Sequence, residues 1–168
     1  MTTYFHVAEL LEGDVLRARF GQSLRPIAED PLTNRERVFE AIRSAEYPHH
    51  PSRLTSSFLF GSLADAVAYS ELAEFSGKQI YRVEAPDDAA TFRGDLMWAV
   101  RGQQGHIALE EAARGYWSGR PFYGFGWYEV LCPPPIRIIG VVPEEDISPH
   151  RGQVEDDTGQ GIGDVEPR

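Results

Sequence analysis

Glu129 sits in Trp127-Tyr128-Glu129-Val130-Leu131, a run whose other members are all apolar or aromatic. A strand with such neighbours ordinarily carries no acid, so the carboxylate either faces solvent or is kept for electrostatic work. His6 follows Tyr4 and Phe5 and is either a ligand-orienting group or a satisfied core or edge histidine. Arg53, in Pro51-Ser52-Arg53-Leu54-Thr55-Ser56-Ser57, carries a planar fork suited to a diphosphate; an ordinary surface arginine reads the same way. Phe58 and Phe60 are core residues on any reading, while Tyr69, on an alanine-rich stretch, packs in the core or stacks on a ligand ring. Cys132 is the only cysteine, so neither an internal disulfide nor a zinc cluster is expected. It lies in a proline turn with no basic neighbour to lower its pKa, which argues against a nucleophile. His49-His50 lack a Cys, Asp or Glu at ligand spacing, and no metal site is expected.

The elements that must position these residues alternate between strand and helix signals. Thr3 to Val7 reads as a strand, and Val15 to Arg19, after the Gly13-Asp14 turn, as a second. Thr33 to Tyr47 reads as a helix with Thr33 and Glu36 spaced as a capping box and Val38, Phe39, Ile42 and Ala45 on its apolar face. Ser56 to Phe60 is a short strand; Ser62 then opens a helix that Gly77 closes. Gln79 to Glu84 is a strand, Ile107 to Trp117 a helix, and Trp127 to Leu131 and Ile136 to Val142 the last strands, parted by Pro133-Pro134-Pro135. Helices concentrated early and strands late predict an α+β fold.

The 168-residue length fits one domain with a real core. Residues 1–148 form that expected domain; 149–168, Gly-rich with five acids and two arginines, form an expected acidic disordered tail. The net charge of -10 disfavours sequence-independent binding to nucleic acid, although Arg17, Arg19 and Arg25, and Arg35, Arg37 and Arg43, lie close in sequence. No apolar run is long enough for a bilayer, and Met1 to Leu10 carries no secretory signal. A cytoplasmic location without membrane attachment is expected, with delivery by a signal-independent route left open. P-loop, Rossmann and G-x-S-x-G patterns are absent.

Three ordered segments carry a resemblance. Tyr4-Phe5-His6 leads to Gly13-Asp14-Val15-Leu16, Ser57-Phe58-Leu59-Phe60-Gly61-Ser62-Leu63 leads into an alanine-rich helix, and Trp127-Tyr128-Glu129-Val130-Leu131 ends on Cys132-Pro133-Pro134. Over roughly residues 3 to 142 the chain resembles the ADP-ribosyltransferase superfamily. The first two segments are similar to the small bacterial, rifampin-modifying type, and the third to the glutamate strand of arginine-modifying members.

The resemblance implies a split β-sheet clam with flanking helices that holds NAD in its cleft as substrate, and transfer of ADP-ribose to an acceptor with release of nicotinamide. His6 would orient the adenosine-side ribose, Phe58 and Tyr69 would hold nicotinamide, and Arg53 would contact the diphosphate. Glu129 would bond the ribose 2′-hydroxyl and stabilise the positive charge that develops on the sugar. Phe58 stands where the family often has Tyr. Trp127 stands where arginine-modifying members have a second Glu, which leaves the acceptor open among protein, nucleic acid and small molecule. An NAD glycohydrolase-type toxin and a non-catalytic NAD-binding module are the alternatives.

Overall fold

The computed structural model describes residues 1–8, 31–71, 78–123 and 126–151. In chain order the elements are β1 (Thr2–Ala8), α1 (Pro31–Glu46), β2 (Ser57–Leu59), α2 (Leu63–Ser70), β3 (Gln79–Ala85), β4 (Phe92–Asp95), α3 (Leu96–Gln103), α4 (Leu109–Trp117), β5 (Tyr128–Cys132), β6 (Arg137–Val141) and α5 (Glu144–Ile147), then a 3-10 turn at Ser148–His150. The strands form two antiparallel three-stranded sheets, ordered β1-β3-β6 and β2-β5-β4. Main-chain bonds join them at Phe5 and Phe60, 2.9 Å from the Phe5 amide to the Phe60 carbonyl and 2.8 Å in the other direction.

Side chains on a strand alternate between faces, so each sheet can bury both. Leu59, Val130 and Cys132 of the second sheet meet Tyr81, Val83 and Ala85 of the first, which makes a core between the sheets. On the far side of the first sheet, Val7, Ile80 and Val142 pack on Ala66, Val67 and Ile147 of α2 and α5. On the far side of the second, Phe58, Phe92 and Leu131 pack on Phe39, Ala112, Ala113, Tyr116 and Trp117 of α1 and α4. Trp117 is fully buried there, and its indole N–H donates to the Phe39 carbonyl at 2.9 Å, which satisfies the one polar atom the ring brings inside.

The α+β expectation holds, but helices and strands interleave instead of separating. The pair β4–α3 was not expected from the sequence. Asp95 explains it: this buried carboxylate accepts from the amides of Met97 at 3.0 Å, Trp127 at 3.1 Å and Phe122 at 2.7 Å. It caps α3 and ties down the approach to β5. Helix α1 starts at Pro31, so positions 33 and 36 both lie inside the helix and not at its N-terminal boundary. Ser62 does cap α2, its hydroxyl oxygen accepting from the Asp65 amide, but that helix ends at Ser70, short of Gly77. The described residues continue past Ser148 through Arg151. The expected strand Val15 to Arg19, Gly77 and residues 152–168 of the expected tail lie outside the described residues. Among the described residues no helix is long and apolar enough to cross a membrane.

Candidate functional site

Where the two sheets part, a cavity of about 480 Å³ opens, lined by Tyr4, Gly61, Ser62, Asp65, Thr91, Arg93, Tyr128 and Val130. Strand pleating selects these residues. Arg93 of β4 pairs with Val130 of β5, so both side chains project to the face that looks at the first sheet, and Tyr128 follows two residues along. Tyr4 on β1 pairs with Val83, which faces the same inter-sheet core. Gly61, Ser62 and Asp65 come from the turn into α2.

The chemistry of the cavity is two-signed. The Arg93 guanidinium carbon lies 3.5 Å from the centroid of the Tyr128 ring, a cation–π contact that fixes the plane of the fork while Arg93 stays exposed. The ring itself is seated against Gly126, where an added Cβ would fall 2.0 Å from the Tyr128 ring edge. Asp65 supplies the carboxylate: the Ser62 hydroxyl donates to its Oδ2 at 2.6 Å, and its Oδ1 takes no hydrogen bond among the described residues.

Glu129 stands between Tyr128 and Val130 and therefore points the other way, into the layer beneath α1 and α4. It is 3% exposed, buried on the face of β5 away from this cavity. Its Oε1 accepts from the Tyr116 hydroxyl at 2.7 Å and from the Arg53 guanidinium. Arg53 is 2% exposed and grips Glu36 with two more bonds, Nε to Oε2 at 2.8 Å and Nη2 to Oε1 at 3.1 Å. Arg35 adds a bond to Glu36 at 2.8 Å. The guanidinium carbon of Arg53 lies 4.6 Å from the Phe58 ring centroid and 4.8 Å from that of Tyr116. Two arginines against two glutamates make a neutral, hydrogen-bonded cluster, the condition on which buried charge is tolerated.

The titration directions follow from this packing. Burial opposes ionisation of Glu36, but Arg53, with Arg35 behind it, outweighs burial and holds the carboxyl below its ordinary value of 4.5. Burial also opposes the charge on Arg53, yet Glu129 and Glu36 raise its pKa well above the ordinary value. Burial, with Glu129 and Glu36 nearby, raises Tyr116 well above 10.0, against an opposing pull from Arg53, so its phenol remains a donor. Burial likewise raises the Cys132 thiol, in keeping with a packing role.

The other expected site residues also lie away from the cavity wall. Arg53 and Phe58 belong to the cluster behind β5 and are not placed to touch a diphosphate or nicotinamide in this cavity. Tyr69 is half-buried, its ring centroid 4.9 Å from that of Phe60 and 5.9 Å from that of Trp127. His6 is buried on the Tyr4 side of β1, its Nδ1–H donating to the Phe58 carbonyl at 2.8 Å, which ties the two sheets together. His50 lies 4.2 Å, ring to ring, from Phe92 in an aromatic cluster, and among the described residues no three His, Cys, Asp or Glu side chains gather as a metal site. The sequence reading thus found the segments that surround the cavity but not Tyr4, Asp65, Arg93 and Tyr128 as the side chains that enter it. The alternation of β5 on either side of Glu129 was the available signal for Tyr128.

No curated protein matches the chain. Residues 17–148 match the family model described as "Protein of unknown function (DUF2441)", and the chain belongs to that family.

Proposed function

We propose that the cavity between the sheets binds NAD in the manner of an ADP-ribosyltransferase-type protein, and that with Glu129 held as it is the chain acts as an NAD-binding module. One observation carries this reading. The three sequence segments behind the resemblance, far apart in the chain, all border the same cavity: β1 brings Tyr4, the β2–α2 turn brings Ser62 and Asp65, and β5 brings Tyr128 and Val130. The chemistry fits a dinucleotide: aromatic faces for a base, an arginine for phosphate and a carboxylate for ribose hydroxyls. Glu129, on the opposite face of β5, then serves as an anchor of the cleft wall.

The second reading is ADP-ribosyl transfer from NAD to an acceptor, or to water in the glycohydrolase variant. The order along the chain of the His6 strand, the strand–helix element and the Glu129 strand, each of which lends a residue to the cavity, favours it. It requires the Glu129 carboxylate to leave Arg53 and Tyr116 and cross to the other face of β5, a rearrangement of a buried charge.

Both are tested on the full chain with NAD. A ligand that binds only the folded state raises the melting temperature by mass action. NAD should do so, Arg93→Ala should need about tenfold more NAD for the same rise, and free nicotinamide should not accumulate. No rise at millimolar NAD would refute the NAD reading. Nicotinamide release by wild type, abolished in Glu129→Gln, would establish the transfer or hydrolysis reading instead.

A further inference from the structure

The cavity wall carries a feature that bears on which dinucleotide it accepts, and this inference rests on the NAD reading above. Among the described residues that line the cavity there is one carboxylate, Asp65, and one cation, Arg93. Asp65 is held in place: its backbone amide donates to the Ser62 hydroxyl oxygen at 3.1 Å, while that hydroxyl donates back to Oδ2 at 2.6 Å. The other oxygen, Oδ1, is the acceptor left over at the edge of the cavity. A fixed carboxylate with a spare oxygen suits a ribose diol, because it accepts from the hydroxyls and a diol brings no negative charge to repel it. The same group is hostile to a phosphate monoester, which carries nearly two negative charges at neutral pH. Arg93 cannot serve both phosphate groups of such a ligand, since its fork is fixed over Tyr128 and suited to one bidentate anion.

We infer that Asp65 makes the cleft selective for a dinucleotide with an unmodified ribose diol, so that it takes NAD and rejects NADP, with Arg93 bound to the diphosphate. The discrimination comes from repulsion of the wrong ligand, which is how charged sites separate close analogues.

The experiment measures dissociation constants of NAD and NADP for the full-length protein, at one fixed salt concentration. Wild type should bind NAD at least about tenfold more tightly. Asp65→Asn keeps the shape and the acceptor but deletes the charge, and the preference should fall to about threefold or less. Asp65→Glu keeps the charge and should keep the preference, which separates electrostatic rejection from any loss of helix capping. Equal binding of NAD and NADP by wild type would overturn this inference and leave the NAD reading standing. An Asp65→Asn variant with the wild-type preference would overturn it too. If neither dinucleotide binds, this inference and the reading beneath it both fall.

Discussion

Replacing Glu129 separates two pictures of the same residue by a stability measurement alone. In the structure its carboxylate lies 3% exposed, bonded to Tyr116 and Arg53, within a cluster of two arginines and two glutamates. Glu129→Leu leaves Arg53 with one carboxylate instead of two and the Tyr116 hydroxyl with no acceptor. Breaking a buried pair from one side costs roughly 3–5 kcal/mol, and the surviving two-bond grip of Glu36 puts the value near the lower end, about 3 kcal/mol. Glu129→Gln retains a carbonyl acceptor and loses only the charge. The step from a charged to a neutral hydrogen bond costs about 1–1.5 kcal/mol. With a urea slope of about 2 kcal/mol per molar, the Leu variant should unfold about 1.5 M earlier than wild type and the Gln variant about 0.5–0.75 M earlier. A double-mutant cycle with Arg53→Met should give a coupling energy of about 2 kcal/mol. A carboxylate facing an open cleft would instead change stability by no more than about 0.5 kcal/mol. A Glu129→Leu protein within that margin of wild type would refute the buried cluster and return Glu129 to the cleft.

Three other outcomes follow from the same packing. The folded-state pKa of Glu36 is depressed, so its contribution to stability is present above the ordinary value of 4.5 and is lost as pH falls below that value through the folded one; denaturation curves from pH 6 to pH 3 should show the decline, and a flat profile would contradict it. Gly94→Ala would set a Cβ 2.4 Å from the buried Tyr116 ring, and calorimetry should show a loss of about 1–3 kcal/mol, the usual cost of overpacking. Gly126→Ala would displace the Tyr128 ring from the cleft wall, so NAD should stabilise this variant less than wild type, whereas an unchanged NAD-induced melting shift would exclude Tyr128 from the site.

The sequence displayed the broad fold better than it displayed the faces. Strands β1, β3, β5 and β6 and helix α4 announced themselves by β-branched and aromatic runs or by helical spacing, because each buries a continuous face. The pair β4–α3 did not, since four strand residues show too little periodicity and the signal lay in Asp95 as a cap. Glu129 was visible as an anomaly, but its direction was not. Every neighbour on β5 is buried or half-buried, because one face meets α1 and α4 and the other meets the first sheet, so no alternation of polar and apolar residues marks inside from outside. The pairing of Glu36 with Arg53 was hidden for a different reason. They are far apart in sequence and meet only through tertiary packing, and the Thr33–Glu36 spacing offered a local explanation for the glutamate that Pro31 removes.

Strand β5 also divides the selective pressures on the protein residue by residue. Tyr128 and Val130 border the cavity, while Glu129 and Leu131 belong to the helix-backed core. Under the proposed binding role, a change of ligand can therefore be written at 128 and 130, together with 4, 65 and 93, without disturbing the ion cluster. The cluster for its part is expected to change together, since a lone substitution at 36, 53 or 129 upsets the charge balance of a buried group. Across the family, positions 36, 53 and 129 should covary as one group and the cavity positions as another, the two sets drifting independently although they alternate along the same five residues of chain.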